Sequence, residues 1–406
     1  MPFAETQVMD QRQRFVYDTH CSLLSFSELC RRYGISRKTG YKWVERWLDS
    51  GPEGLQDRSS RPCTSPLATP GHVVEAILDV RRKHTDYGAK KVTWYLQRNR
   101  PGLPLPSLTT IHNILHRHGL VPERRRRVRR WHPGQPTTEA QHPNAIWSMD
   151  FKGQFRTRDG QYCFPLTVQD VHSRFVLACQ GRLDVSLQGV RPVFVQLFRE
   201  HGLPERIRSD NGAPFASSAL GRLSQLSVWF IRLGIMPELI EPASPQQNGK
   251  HENMHLVLKR QATRPPKANL RAQQRVLNTF RHEYNWVRPH EALNGALPSD
   301  LYRPSARPYP RRLEPLTYPN HFEVRLVSRN GGIRWFNQWV NVSHLLAEEY
   351  IGMEEIDAGL FDVYFGPVWL GRFVERKLRI IDSEGRTARR KGNNNKGRNC
   401  NPGILS

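Results

Sequence analysis

Hydrophobic positions recur at helical spacing in two stretches before residue 120, alternate in short runs between 143 and 305, and return as short aromatic-rich runs after 320. In the first stretch the spacing predicts a short helix capped by Ser27 and stopped at Gly34. A second helix follows, capped by Ser36, on which Tyr41, Val44 and Trp47 share one side. Over residues 72–118, Val73, Ile77 and Val80 form one stripe and Val92, Tyr95 and Leu96 another. Ser107 caps a further helix that carries Ile111, Ile114 and Leu115 and ends at Gly119.

The middle region opens on an alternating strand at 145–153, a turn at Arg158-Asp159-Gly160, and strands at 162–169 and 173–179. A helix at 186–201 buries Val190, Val193, Phe194 and Leu197. Then come a short strand ending at Asp210, a helix over 217–233, a brief strand near Leu239, and a late helix running through Leu256, Lys259 and Arg260. Three antiparallel strands followed by α/β alternation is an RNase H-like order. After a Pro-rich connector, the short strands of 322–380 predict a small antiparallel barrel. The expected organisation is therefore multidomain: all-α helix-turn-helix modules at 1–62 and 71–122, a basic linker at 123–142, an α/β core at 143–305, a β-rich domain at 320–382 and a disordered basic tail at 386–406.

Composition narrows the partner. The 406 residues carry 61 Lys+Arg against 37 Asp+Glu, a net charge of +24 and a pI near 10.3. Such a surface favours a polyanion, because each neutralised phosphate releases a condensed counterion. No apolar run reaches the ~18 residues of a membrane helix, and the polar first twenty residues do not read as a signal peptide. The six cysteines form no CxxC and stand at no zinc-finger spacing. Reduced thiols in a cytosolic protein are expected, with neither membrane nor zinc.

Two short helices joined by a Gly-containing turn make a helix-turn-helix, and the second would present Arg37, Lys38 and Lys42 to DNA; an αα-hairpin with a solvated basic face is the plainer alternative. The helices of 72–118 read as a second such module or as a packing subdomain. The run Arg124, Arg125, Arg126, Arg127, Arg129, Arg130 reads as a phosphate-gripping linker or a localisation tract.

The chemistry lies in Asp150 on the first core strand, Asp210 at the end of the fourth, and Glu252 on the late helix. Carboxylates at strand ends beside a helix can converge on hard cations such as Mg²⁺, with Mn²⁺ as a substitute. Two ions about 3.5–4 Å apart can activate a hydroxyl and stabilise a phosphodiester's leaving oxygen. Bound metal would also resolve the conflict between an acidic cluster and DNA. Asp170 is the competing acid, better read as a partner of Arg174. Trp147 reads as core, His255 as a DNA-facing or solvated side chain, and Lys259, two turns beyond Glu252, as a phosphate contact.

Trp147-x-x-Asp150, Ser209-Asp210-Asn211-Gly212 and Ser244-Pro245-(x2)-Asn248-Gly249-(x2)-Glu252 resemble the integrase-core transposases of bacterial insertion sequences, relatives of retroviral integrases. Asp170-Val171-His172-Ser173-Arg174 and Tyr284-Asn285-(x2)-Arg288-Pro289-His290-Glu291-Ala292-Leu293 are also similar to family stretches, and the likeness spans roughly residues 20–305. It implies that Asp150, Asp210 and Glu252 are a metal-binding catalytic triad of a DDE transposase. Such an enzyme binds its element's ends in double-stranded DNA, cleaves at the 3′ side and transfers the strand to target DNA, as at least a homodimer. It also implies an SH3-like C-terminal domain, although Glu348, Glu349, Glu354, Glu355 and Asp357 suit a protein contact equally. The sequence departs from the family in one place: 41 residues separate Asp210 from Glu252, and the commoner spacing of about 35 falls on Gln246. There is no HHCC zinc module. A regulator that lost the chemistry and an RNase H-type nuclease are the competing functions.

Overall fold

A computed structural model describes residues 8–21, 24–59, 68–121, 138–212, 214–217, 219–241, 245–383 and 385–387. The chain divides into two compact units, 1–69 and 70–406. Arg124, Arg125, Arg126 and Arg127, and the tail beyond Thr387, lie outside the described residues.

The first unit packs α1 (Val8–Cys21), α2 (Phe26–Arg32) and α3 (Arg37–Ser50) around Phe15, Val16, Leu29, Cys30, Trp43 and Leu55. The cap of α2 is Ser25 rather than Ser27, because Glu28 reaches back to accept from the Ser25 backbone N–H at 3.1 Å. Ser36 caps α3 as expected, accepting from the Thr39 N–H. The buried side of α3 differs from the predicted stripe. Gly40 and Trp43 face inward, while Tyr41 is 61% exposed and stacks on Phe26 at the rim. The cause is a close crossing: a Cβ at Gly40 would stand 2.8 Å from Cys30 Sγ and 3.0 Å from two phenyl carbons.

The second unit begins with α4 (Gly71–Lys83), α5 (Ala89–Asn99) and α6 (Leu108–Arg117), closed around Val73, Ile77, Val92, Leu96, Ile111 and Leu115. Ser107 caps α6. A mixed sheet follows, built of β1 (Ile146–Phe151), β2 (Phe155–Arg156), β3 (Tyr162–Asp170), β4 (Val176–Arg182), β5 (Arg206–Ser209) and β6 (Met236–Leu239). Its order is β2-β3-β1-β5-β6, with β4 on β3, so β1 is antiparallel to β3 and parallel to β5. Strand β4 starts at Val176 instead of Ser173, since Ser173 is held in the turn by Asp170. Trp147, Met149 and Ile207 meet α7 (Leu187–His201) and α8 (Gln225–Arg232) on one face. On the other face lie α9 (Gly249–Gln261) and α10 (Leu270–Trp286), through Met254, Leu258, Leu277 and Phe280. Helix α8 is shorter than the predicted 217–233: Gly221 takes a positive φ in a tight turn, and Ser224 then caps a fresh helix. A short α11 (Pro298–Leu301) closes the core.

The C-terminal strands are β7 (Glu323–Leu326), β8 (Gly332–Trp335), β9 (Gln338–Asn341), β10 (Tyr350–Asp357), β11 (Leu360–Phe365), β12 (Val368–Val374) and β13 (Arg379–Ile381). Here the expected SH3-like barrel gives way to an open antiparallel sheet, β13-β12-β11-β10-β7, beside a separate β8–β9 hairpin. The hairpin covers the apolar face by packing Trp335 on Phe361 and Phe373, so the core closes through side chains without pairing the sheet edges. The same cluster takes in Leu220, Leu223, Val228 and Ile231 around α8, and Arg232 pairs with Glu349. Among the described residues no helix is long and apolar enough to cross a membrane.

Candidate active site

Register places the carboxylates. Ser148 on β1 pairs with Arg208 on the parallel strand β5, so Asp150 and Asp210, each two residues farther on, stand side by side beyond the paired segment. Ser148, Asp150 and their β3 partners Gln169 and Thr167 share the face covered by α9. Glu252 lies in the first turn of α9, exposed at the rim.

Asp150 feels the other two acids. Asp150 is pushed up to about 7, first by burial, then by the negative charge of Asp210, with Glu252 adding to it. A hard dication between them would offset that repulsion, so the donor set suits Mg²⁺ or Mn²⁺ in kind. Among the described residues, however, no three His, Cys, Asp or Glu side chains stand together at ligating geometry. Asp170 is occupied otherwise. It is wholly buried and accepts from the N–H groups of Asn144 and Ser173 and from the Ser173 hydroxyl at 2.5 Å. Trp147 is core, its indole N–H donating to Asn144.

Behind the acids lies a polar cluster that the sequence did not reveal. His251 and His255 are buried, not solvated or DNA-facing. The Thr167 hydroxyl donates to the Asp150 carbonyl at 3.0 Å and stands 2.7 Å from Nε2 of both imidazoles. A hydroxyl has one proton, so at least one of the two rings donates to Thr167 from Nε2. Ser148 Oγ lies 2.7 Å from His251 Nδ1 and 3.3 Å from the Gln169 carbonyl oxygen, and His255 Nδ1 faces Asp150 Oδ2 at 3.6 Å. Burial holds both rings neutral, lowering His251 to about 3 and His255 to about 2. The usable signal was the stripe His251, Met254, His255, Leu258 at helical spacing, which marks the inward face of α9.

Arg208 was also missed. It is 3% exposed and pairs with Glu238 on β6 at 2.8 Å. Its guanidinium also donates to the carbonyls of Thr138 and Gln247, the latter in the turn before α9. One side chain thus links the Asp210 strand to the approach of the Glu252 helix.

Of the expected DNA contacts, Arg37, Lys38 and Lys42 are exposed on α3, with the Lys42 ammonium 4.4 Å from the Trp43 ring centre. Lys259 is exposed on α9.

Residues 140–245 match the family model described as "Integrase core domain", and residues 233–298 match a second model of that description. Residues 140–298 thus carry an integrase core domain. Residues 6–56 and 39–115 match models described as "Homeodomain-like domain", so the integrase core is accompanied by helix-turn-helix domains. The chain is 28% identical over 160 residues to the insertion element IS407 uncharacterized 31.7 kDa protein of Burkholderia multivorans, covering 39% of this chain and 55% of that one. It is 26% identical over 255 residues to the insertion element IS476 uncharacterized 39.2 kDa protein of Xanthomonas euvesicatoria, covering 61% and 69%. The chain therefore spans about half the length of the first relative. Among solved structures, a chain of the simian T-cell lymphotropic virus intasome is 18% identical over 72% of this chain and 95% of its own, at a TM-score of 0.37.

Proposed function

We propose that this integrase-core protein is a DDE-type DNA transposase. It binds the terminal repeats of an insertion sequence, cleaves at the 3′ ends and joins the freed 3′ hydroxyls to target DNA in the bacterial cytoplasm. The observation that carries this reading is that two parallel strand ends bring Asp210 beside Asp150, where the charges of Asp210 and of Glu252, at a helix start, both act on Asp150. Asp150, Asp210 and Glu252 would hold the metal, probed with Mg²⁺ or Mn²⁺, in a one- or two-ion arrangement. When bound, the metal supplies a Lewis acid that activates the attacking hydroxyl and stabilises the leaving oxygen. The rest falls to the chain. Helices α3 and α6 read the ends, with Arg37, Lys38 and Lys42 on bases and phosphates. Arg124, Arg125, Arg126 and Arg127 grip the backbone, and Lys259 holds phosphate beside Glu252. Two ends must be joined, so the working form is at least a dimer.

The test incubates the full chain with labelled end DNA, target plasmid and Mg²⁺. Joined products that vanish in Asp150→Asn, Asp210→Asn and Glu252→Gln support the reading. Joining that survives any one of these changes removes that residue from the triad, and end binding without any nicking or joining in either metal leaves a DNA-binding regulator instead.

A further inference from the structure

The stretch from Tyr284 to Leu293 carries no carboxylate of the triad, and the function proposed above leaves it without a task. Its side chains explain it. Asn285 grips the backbone of β4, accepting from the Val176 N–H at 2.8 Å and donating to the Val176 carbonyl at 2.9 Å. That anchors the end of α10 to the catalytic sheet. Arg288, next along, is 6% exposed and turned outward to the α4–α5 turn. It pairs with Asp86 at 2.6 Å, and its guanidinium lies 5.4 Å from the Tyr87 ring centre. Asp86 also accepts from Gln261, the last residue of α9, whose first turn bears Glu252. Beyond the motif, Gly295 lies under the Trp94 indole so closely that a Cβ would come within 2.6 Å of the ring. Its φ of +90 suits glycine. Arg98 then closes the edge with a two-pronged pair to Asp300, both bonds 2.7 Å. Helix α6, with Leu108, His112, Asn113 and His116 exposed, is left out of this seam.

We infer that Arg288 and Arg98 are positioning residues: with Asp86, Trp94, Gly295 and Asp300 they clasp α4–α6 rigidly to the catalytic core, so that α6 and the carboxylates stand at a set separation and the chain measures its cut from the bases α6 touches. This rests on the reading that α6 meets end DNA. A buried ion pair stacked on an aromatic ring is a poor hinge, since separating it leaves a desolvated charge unpaired. The clasp also reaches Glu252 through Gln261, so the module and the helix bearing that acid move together.

The experiment uses the full chain with Cys21, Cys63 and Cys400 changed to Ser and spin labels at Asn113 on α6 and Arg199 on α7. A single narrow distance distribution is expected for the parent. It should broaden in Arg288→Asp and in Arg98→Asp, and narrow again in Arg288→Asp/Asp86→Arg or, on the more exposed pair, Arg98→Asp/Asp300→Arg. A second arm maps nicks on end DNA with Mg²⁺. The broken clasp should lower nicking at the parental phosphate by about 10- to 100-fold, the order expected for misplacement of about 1 Å, and spread it to neighbouring phosphates. A distribution already broad in the parent, or unmoved by both single changes, overturns the clasp. Broadened distances with nicks confined to the parental position overturn the measuring role. If the parent binds ends but never nicks, the transposase reading fails, while the distance arm still decides the clasp.

Discussion

Ser148 Oγ and His251 Nδ1 lie 2.7 Å apart in the buried seam between β1 and α9, one residue from the outward-facing Glu252 and two from Asp150. This bond ties the strand of one acid to the helix of another. His251→Leu leaves the Ser148 hydroxyl without its imidazole partner and takes one hydrogen-bond partner from Thr167, an expected cost of about 1–3 kcal/mol. Urea unfolding should show that loss, and joining should fall further than stability alone explains. Ser148→Ala/His251→Leu should recover part of the stability, because both polar partners are then gone. A single variant as stable as the parent would mean that the seam is held by its apolar residues alone.

Asp150→Asn, Asp210→Asn and Glu252→Gln should each lower cleavage by at least about 100-fold, the order seen when one preorganised charge-stabilising group is removed. End binding should persist. Asp170→Asn should act differently. It turns one of the two oxygens that accept from Asn144 and Ser173 into an amide donor and lowers the thermal midpoint, with cleavage by the folded fraction retained. Cleavage assays beside differential scanning calorimetry separate the two classes.

End binding through α3 should carry a salt signature. Changing Arg37, Lys38 and Lys42 to Ala should flatten the slope of log affinity against log salt by about one unit for each phosphate no longer neutralised. Fluorescence anisotropy over a salt series reads it directly. An unchanged slope and affinity would move recognition to α6.

Gly40→Ala should destabilise the first unit. The added methyl meets Cys30 Sγ at 2.8 Å and the rings of Phe15 and Phe26, and a crowded core costs about 1–3 kcal/mol. Circular dichroism of residues 1–69 against the parent fragment measures it, and no change in midpoint would show that α3 can shift away.

Burial pushes the Cys163 thiol up to about 11 and that of Cys179 up to about 12. Near pH 8 both should resist alkylation while the exposed Cys21 reacts. The linkage follows in sign. The unfolded chain loses these protons near 8.5 and the folded chain keeps them, so each thiol lowers stability by about 1.4 kcal/mol per pH unit above that point, until its folded value is reached. Mass-spectrometric mapping of labelled cysteines, native and in urea, checks the first statement, and urea midpoints from pH 8 to 10 check the second.

Much of this was written in the order of residues. Caps at Ser36 and Ser107, the apolar stripe of α7, and the alternation of β1 and β3 are local signals, and local signals survive into the fold because neighbours in sequence enforce them. The spacing of Asp150, Asp210 and Glu252 within their motifs was legible for the same reason: motifs are short. What lay beyond reach were facts about pairs distant in sequence. No periodicity says that Gly40, and not Tyr41, sits where α3 crosses α1, or that a hairpin covers the C-terminal sheet in place of barrel closure. Nor does it say that the buried histidines of α9 find Ser148 and Thr167 across about a hundred residues, or that Arg288 finds Asp86 across twice that. Sequence sets each residue's capacity to bury or to hydrogen-bond. Which partner meets that capacity depends on how sheet and helices stack, and only the folded chain, where an unpaired buried polar group is costly, selects among the partners.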